Sequence, residues 1–333
     1  MGKRIVLADP RGFCAGVDRA ILTVRTILKS ADTPRADGLP PVYVRRQIVH
    51  NKHVVEDLAA QGAVFVQELA EIPDAAAEAG IPIVFSAHGV SPAVKAEAAA
   101  RGMHVVDATC PLVSKVHREV LRFVKEGYEI IYIGHKGHDE AVGVVEESPE
   151  HVHLIEHASD VDSLDFQPDT KLVLLTQTTL SVDETAGTIT ALKARFPWLE
   201  MPPNSDIYAT SNRQAAVKLV AEQADCVVIV GSANSSNSVR LMEVAQEGLN
   251  ARYASKTAVG AAGRAHRVDD ASELDPAWFE GVESVGISSG ASVPDELVSG
   301  VVAALQELGY QDVSTIETIK ENMHFVLPAE LRK

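Results

Sequence analysis

The chain has 333 residues, of which 46% are hydrophobic and 23% charged, and its formal net charge is −16. This length predicts two or three domains, and the composition is that of a globular enzyme rather than a disordered or fibrous protein. The acidic balance argues against a nucleic-acid surface, so any anionic ligand must be held locally by backbone N–H groups, hydroxyls and helix N-termini.

The sequence predicts neither a membrane span nor a disulfide framework. No apolar run approaches the roughly 20 residues of a membrane span, and MGKRIVLADP is typical of an opening strand rather than a signal peptide. We therefore expect no membrane span and a cytoplasmic location. Cys14, Cys110 and Cys226 are too few and too scattered for a disulfide framework, which leaves a metal-binding or catalytic role.

Eight segments share one pattern: about five apolar, often β-branched residues, then a turn rich in Gly, Ser or His, then a helical pattern. In chain order the apolar runs are IVLA, VYVRRQIV, IVFSA, HVVDA, IIYIG, LVLLT, VVIVG and VGISS. Helical segments such as VKAEAAA, KVHREVLRFVKE and AAVKLVAEQA separate them. This alternation predicts an α/β fold with mostly parallel sheets.

Reactive or polar side chains follow each predicted strand. In chain order the turns carry Cys14, His50, His88, Cys110, His138 with Glu140, Thr176 to Thr179, Ser235 to Asn237, and Ser288 to Ser292. Open α/β sheets bind ligands at the carboxyl ends of their strands, so we expect these turns to line one central cleft. The capping box SVDE and the prolines Pro92, Pro111 and Pro294 after three of the turns predict that helix N-termini begin there too.

The two cysteines in these turns are candidate metal ligands. Cys14 lies in the glycine-flanked turn of PRGFCAGVDRA, and Cys110 precedes a proline-initiated helix in ATCPLVSKVH. A helix N-terminus favours the thiolate, which is the form that binds metal. Either cysteine alone could equally be a small buried hydrophobe, but matched positions at two strand ends favour ligands.

The histidines and Glu140 suggest an anion site with a proton donor. One lone histidine is more often structural, but His50, His88 and His138 occupy equivalent positions and could bind phosphate oxygens. His135 and His138 also have the spacing of a zinc pair, although that pattern alone is weak. Glu140 could deliver protons; the alternative is a helix-start carboxylate favoured by the helix dipole.

Three turns are rich in hydroxyl groups: TQTTLSVDET, GSANSSNSVR and SSGASVPDE. The run SANSSNS is the most specific, because seven small polar residues between a buried strand and a helix pack poorly but can cradle a diphosphate. Helix capping and turn formation explain only some of these residues.

Taken together, PRGFCAGVDRA, VHN, FSAHGVS, DATCPLV, TQTTLSVD, ATSNRQ, NSSNS and the SGAS turn resemble the 4-hydroxy-3-methylbut-2-enyl diphosphate reductase family of the non-mevalonate isoprenoid pathway. The resemblance runs almost end to end. It implies three αβ domains in a pseudo-threefold trefoil, with mostly parallel sheets around a central cleft that holds a 4Fe-4S cluster. We expect domains at residues 1–110, 111–206 and 207–300, followed by a C-terminal helix and tail at 301–333.

The resemblance also implies the activity. The enzymes of this family are iron-sulfur oxidoreductases that reductively dehydroxylate (E)-4-hydroxy-3-methylbut-2-enyl diphosphate to isopentenyl and dimethylallyl diphosphate. The unique iron of the cluster engages the substrate hydroxyl, and electrons come from a ferredoxin- or flavodoxin-like donor. The implied partners are therefore an allylic diphosphate and a small electron-transfer protein, without nucleic acid.

Roles carry over position by position. By the resemblance, Cys14 and Cys110 are cluster ligands and Glu140 is the proton source. His138 and Thr178 contact the substrate and its hydroxyl network and take part in catalysis. The implied substrate-binding residues are His50, His88, His138, Thr178, Ser235, Ser236, Asn237 and Ser292.

Two positions depart from the family pattern: Val144 stands where the family has a threonine, and, more seriously, one cysteine is missing. The family has a third cysteine between the Ile and Tyr of its DICYAT motif, whereas Ile207 is followed directly by Tyr208 here. Cys226 does not replace it, because it begins the strand CVVIVG and would lie more than about 13 Å from the strand end that carries the site. We expect Cys226 to be buried and structural.

The missing cysteine leaves two alternatives to the reductase. A divergent relative could bind a diphosphate without a stable cluster and without turnover. A zinc hydrolase built from Cys14, Cys110 and a histidine is the poorer alternative, because zinc would not need the hydroxyl-rich turns.

Overall fold

A computed structural model of the protein describes residues 2–31, 37–202, 208–254 and 262–332. Strands and helices alternate along these ranges. The strands are β1 Arg4–Asp9, β2 Val42–Arg45, β3 Ala63–Val66, β4 Pro82–Phe85, β5 His104–Asp107, β6 Tyr128–Ile133, β7 Val152–Ile155, β8 Lys171–Thr176, β9 Cys226–Val230, β10 Arg264–Val268, β11 Ser284–Ser289 and β12 Asp312–Glu317. The α-helices are α1 Ala15–Ser30, α2 Lys52–Ala60, α3 Asp74–Glu78, α4 Pro92–Ala100, α5 Pro111–Lys125, α6 Asp139–Val145, α7 Val182–Arg195, α8 Tyr208–Gln223, α9 Ser236–Tyr253 and α10 Asp295–Glu307.

The chain divides into two compact units. The first unit comprises Met1–Ala15, His50–Val54 and Tyr208–His324. The second unit comprises Gly16–Val49, Val55–Ile207 and Phe325–Lys333.

The first unit is built on one parallel sheet with the strand order β10-β9-β11-β1-β12. Helices cover both of its faces: α8 and α9 pack Val220 and Leu241 against one face, and α10 packs Val301 against the other. Because both faces are buried, the central strands are continuously apolar, and every residue of β9 is buried. Strand β1 therefore belongs to the sheet formed by the last strands of the chain.

The second unit contains two further parallel sheets, with the orders β3-β2-β4-β5 and β7-β6-β8. In the three-stranded sheet, α5 packs Val120 and Phe123 against one face of β6. Helix α7 packs Leu192 against the other face of the sheet, on which Ile131 lies.

The predicted α/β class with parallel sheets is confirmed, and all eight apolar runs form strands. Four strands were not predicted: β3, β7, β10 and β12. The last of these lies in the region 301–333, which the sequence pattern assigned to a helix and tail. The domain boundaries near residues 110, 206 and 300 stay a prediction. Among the described residues, no helix combines the length and apolarity needed to cross a membrane.

Candidate active site

In the first unit, three turns are joined by hydrogen bonds: the loop after β1, the start of α9 and the turn after β11. The N–H of Ala291 donates to Oδ1 of Asn237 at 2.9 Å, and the Ala291 carbonyl accepts from the N–H of Cys14 at 3.1 Å. Oγ of Ser292 donates to the carbonyl of His50 at 3.0 Å. Four of the predicted site residues, far apart in sequence, thus lie in one network.

The start of α9 adds the remaining predicted residues of this unit. Ser235 is the N-cap of the helix, and its Oγ accepts from the N–H of Ser238 at 3.3 Å. Ser236 and Asn237 follow in the first turn. The positive end of an 18-residue helix therefore lies beside neutral hydroxyl and amide groups. Such a group of donors can bind an anion without a basic side chain.

The loop that carries Cys14 is anchored from two sides. Gly12, with φ +69°, donates its N–H to Oγ of Ser289 at 2.9 Å. The Gly12 carbonyl accepts from Nη2 of Arg213 at 2.8 Å, and this fully buried guanidinium also pairs with Glu321 at 3.1 Å. Arg213 lies in the ATSNRQ motif, but its supporting role was not predicted, because sequence alone does not show that it is buried.

In the second unit, Glu140 and Thr178 form a buried pair. The N–H of Thr178 donates to Oε1 of Glu140 and its Oγ1 donates to Oε2, both at 2.7 Å. Glu140 is only 1% exposed. Burial raises the pKa of Glu140 to about 7, although the hydrogen bonds from Thr178 and the charge of His117 oppose this rise. At neutral pH the carboxyl therefore holds a proton in about half of the molecules.

His138 precedes Glu140 as the N-cap of α6. Its Nδ1 accepts from the N–H of Glu140 at 3.2 Å, so the neutral ring carries its proton on Nε2. The His88 ring meets it edge to face, with 5.8 Å between centroids. The second unit thus brings His88, His138, Glu140 and Thr178 together.

A buried glutamine supports this group and was not predicted as a site residue. Oε1 of Gln177 accepts from the N–H of His135 at 2.9 Å, and its Nε2 donates to Oγ1 of Thr179 at 2.6 Å. These bonds tie the turn after β6 to the turn after β8. The TQTTLSVD motif contains the residue, but only the structure shows that its amide bridges two turns.

The other cysteine turn belongs to the second unit. Cys110 is the N-cap of α5, and its N–H donates to the carbonyl of Ala87 at 2.9 Å. Arg19 donates to the carbonyl of Thr109, the preceding residue, at 3.0 Å. Cys14 and Cys110 are both half-buried and neither is in a disulfide. That the site residues of both units line one cleft stays a prediction.

Cys226 is fully buried at the start of β9, as predicted. Burial, reinforced by the negative Asp225, raises the pKa of the Cys226 thiol to about 12. The thiol lies at the start of β9, whereas Ser235 to Asn237 follow the other end of this strand, which agrees with a buried structural residue. Ile207, which adjoins the missing position, lies outside the described residues. Cys14 and Cys110 are thus the two candidate cluster ligands, one fewer than in the pattern of the family that the motifs resemble.

Residues 5–306 match the family model of the LytB protein. The chain belongs to the LytB family. This confirms at the family level the resemblance that the motifs indicated.

Curated relatives of this LytB chain cover it almost completely. A protein named 4-hydroxy-3-methylbut-2-enyl diphosphate reductase from Bifidobacterium longum is 82% identical, over 100% of this chain and 93% of the relative. A protein of the same name from Nocardia farcinica is 53% identical, over 99% of this chain and 91% of the relative. The first alignment spans 338 positions against 333 residues here, so the Bifidobacterium protein has residues without a counterpart in this LytB chain.

Solved structures agree with this assignment to the LytB family. The E-1-hydroxy-2-methyl-but-2-enyl-4-diphosphate reductase from Plasmodium falciparum matches with a TM-score of 0.88 and 36% identity. That match covers 99% of this chain and 97% of the other. A second reductase structure, titled as the terminal enzyme of the non-mevalonate pathway, matches with a TM-score of 0.61 and 28% identity, over 92% of this chain and 99% of the other.

Proposed function

We propose that this LytB chain is a cytoplasmic reductase of (E)-4-hydroxy-3-methylbut-2-enyl diphosphate. The observation that carries the proposal is the buried Glu140–Thr178 pair, because a carboxyl that is half protonated at neutral pH is suited to deliver a proton. The names of the relatives supply the substrate. In the reaction the C–O bond to the hydroxyl breaks, a C–H bond forms, and two electrons and two protons are consumed with release of water.

Glu140 is assigned as the source of the proton that the substrate hydroxyl takes up before it leaves as water. Its carboxylate accepts a hydrogen bond from Oγ1 of Thr178 at 2.7 Å. When Glu140 is protonated this hydrogen bond reverses, so the carboxyl proton passes to the threonine oxygen as the threonine proton passes to the substrate hydroxyl. The Nε2–H of His138 is a second donor for that hydroxyl, because Nδ1 is occupied by the N–H of Glu140. Protonation makes the hydroxyl a better leaving group.

The diphosphate is assigned to the donors of the first unit and to two histidines. Ser235, Ser236, Asn237 and Ser292 would bind its oxygens, together with His50 and His88; Ser292 would turn its proton from the His50 carbonyl to the diphosphate. The carboxamide of Asn237 already accepts from the N–H of Ala291 through its oxygen, so its NH₂ group is turned the other way as a donor. In a chain with a net charge of −16, such neutral donors provide local anion binding without a basic surface.

A 4Fe-4S cluster would transfer the electrons from a ferredoxin- or flavodoxin-like donor, with Cys14 and Cys110 as thiolate ligands. The residues fit this cluster only in part. The third family cysteine is absent, and the buried Cys226 is held as a thiol. The proposal for this chain's own residues therefore concerns substrate binding and proton delivery.

Anaerobic reconstitution tests the proposal. We expect the protein to bind iron and sulfide, about four of each per chain at full occupancy, and to consume the allylic diphosphate with a reduced donor. A variant with a cysteine inserted between Ile207 and Tyr208 should retain more iron and turn over faster. If the protein binds pyrophosphate, but neither it nor the cysteine-insertion variant retains iron or turns over the substrate, the result would instead support the cluster-free relative. One zinc per chain without sulfide would support the hydrolase.

A further inference from the structure

Ser238 is a fully buried serine in the first turn of α9 that directs two hydrogen bonds at one atom. Its Oγ lies 3.0 Å from Oγ of Ser235 and donates to it. Its backbone N–H donates to the same oxygen at 3.3 Å. The family pattern carried over from the motifs includes Ser235, Ser236 and Asn237 but gives no role to Ser238.

These two bonds decide what Ser235 can still do. A hydroxyl group has one proton to donate and two lone pairs to accept with. Both lone pairs of Ser235 face donors from Ser238, so the only hydrogen bond left to Ser235 is the one that it donates. A diphosphate oxygen carries negative charge and needs donors, so this arrangement matches the ligand proposed for the turn.

The Ser238 hydroxyl packs closely against two glycines. A Cβ at Gly231, which follows β9, would lie 2.2 Å from Oγ of Ser238, and one at Gly290, which follows β11, would lie 2.1 Å from it. The hydroxyl therefore fills space that any other residue at these positions would need. Gly290 has no left-handed φ, so at this position the space for Ser238, rather than the backbone conformation, requires glycine.

We propose that Ser238 is a positioning residue that fixes Ser235 as a hydrogen-bond donor to the diphosphate. The arrangement parallels that of Asn237, whose oxygen is occupied by the N–H of Ala291. Both groups are oriented before the ligand arrives, so binding does not have to reorient them. This inference rests on the proposed function, because it takes the diphosphate to bind at the start of α9.

Calorimetry with inorganic pyrophosphate tests the inference without a cluster. Replacing Ser238 by alanine should weaken binding about 3- to 10-fold, the effect of losing one neutral hydrogen bond's orientation. In turnover assays KM should rise by a similar factor while kcat stays nearly constant. Ser284→Ala is the matched control, since Ser284 is also buried, begins β11 and donates to Asp225. The affinity of this variant for pyrophosphate should be unchanged.

A double-mutant cycle separates positioning from general support. If Ser238 acts through Ser235, the Ser238→Ala change should have no further effect on affinity once Ser235 is alanine. Additive losses, or an unchanged affinity in Ser238→Ala alone, would overturn this inference and leave the proposed function standing. Absence of pyrophosphate binding in the unmodified protein would overturn both.

Thermal unfolding tests the packing directly. Gly290→Ala should lower Tm in the otherwise unchanged protein, because its Cβ would overlap Oγ of Ser238. In the Ser238→Ala background the nearest Ser238 atom would be its Cβ, at 3.2 Å, so the drop in Tm should be clearly smaller. Equal drops in both backgrounds would contradict the locked geometry on which the inference depends.

Discussion

The turn at α9 and the acid pair at α6 handle charge in opposite ways. Ser235, Asn237 and Ser292 are neutral, and internal hydrogen bonds orient two of them as donors. Glu140 is ionisable, and burial, rather than an orienting hydrogen bond, favours its protonated form by raising its pKa to about 7. The comparison teaches that an acidic chain can bind an anion through oriented dipoles while it holds a proton by desolvation. Changes in the two regions should therefore have separable effects on affinity and on turnover.

The largest expected effect belongs to Glu140. Glu140→Gln keeps the shape of the side chain but removes its transferable proton, so kcat should fall by about 10²- to 10⁴-fold. Steady-state kinetics of the reconstituted protein measures this. Glu146→Gln, an exposed change at the end of the same helix, is the control and should leave kcat unchanged. If kcat falls less than tenfold in Glu140→Gln, the carboxyl of Glu140 is not the proton donor.

The second-largest effect is expected when Arg213, the buried cation that anchors the Cys14 loop, is replaced. Arg213→Met leaves the carbonyl of Gly12 without its side-chain donor and Glu321 without its ion-pair partner, so the free energy of unfolding should fall by about 3 kcal/mol. Denaturant titration measures the loss. Arg25→Met removes an exposed ion pair to Asp57 and should cost less than about 1 kcal/mol. Similar losses in both variants would show that Arg213 is not an anchor.

The pH dependence of stability sharpens the contrast further. The pKa of Glu140 is raised above its unfolded value of 4.5, so its neutral form favours the fold below that pH. This advantage is lost as pH rises through about 7. Between pH 5 and 8, Glu140→Gln should gain about 2 kcal/mol in free energy of unfolding relative to the unmodified protein. A difference between the two proteins that stays constant with pH would contradict the raised pKa.

The smallest effect is expected at Cys226. Cys226→Ala removes a buried thiol at the start of β9, and the free energy of unfolding should fall by about 1 kcal/mol. Its iron content after reconstitution should equal that of the unmodified protein, because the buried thiol lies at the end of β9 opposite the turn that carries Ser235. Cys14→Ala is the contrasting variant and should lose iron. A loss of iron in Cys226→Ala would make this thiol a ligand after all.

Every central strand of the three sheets was predictable, whereas of the six edge strands only β5 and β8 were predicted. Runs such as VVIVG and IIYIG are apolar throughout because helices cover both faces of their sheets. The four missed strands β3, β7, β10 and β12 all lie at sheet edges. In β12 most side chains are exposed, so its sequence lacks the apolar signal. The pairing of β1 with β11 and β12 is likewise a long-range contact that no local pattern encodes.

The candidate site was predictable to the level of its turns. Reactive residue types directly after apolar runs pointed to Cys14, Glu140 and Asn237. The residues that hold these groups were not predictable, because their role depends on burial and on partners far away in the sequence. Arg213 reaches a carbonyl 201 positions away. Ser238 was one small residue among seven, and only the closeness of Gly231 and Gly290 sets it apart.

The separation of anion binding from proton delivery is tested most directly by the affinity of Glu140→Gln for pyrophosphate, measured by calorimetry beside Ser235→Ala. We expect Glu140→Gln to bind within about twofold of the unmodified protein, because both oxygens of its carboxyl accept hydrogen bonds from Thr178. Ser235→Ala should bind about 3- to 10-fold more weakly. A tenfold loss of affinity in Glu140→Gln, or none in Ser235→Ala, would contradict the division of roles between the two units.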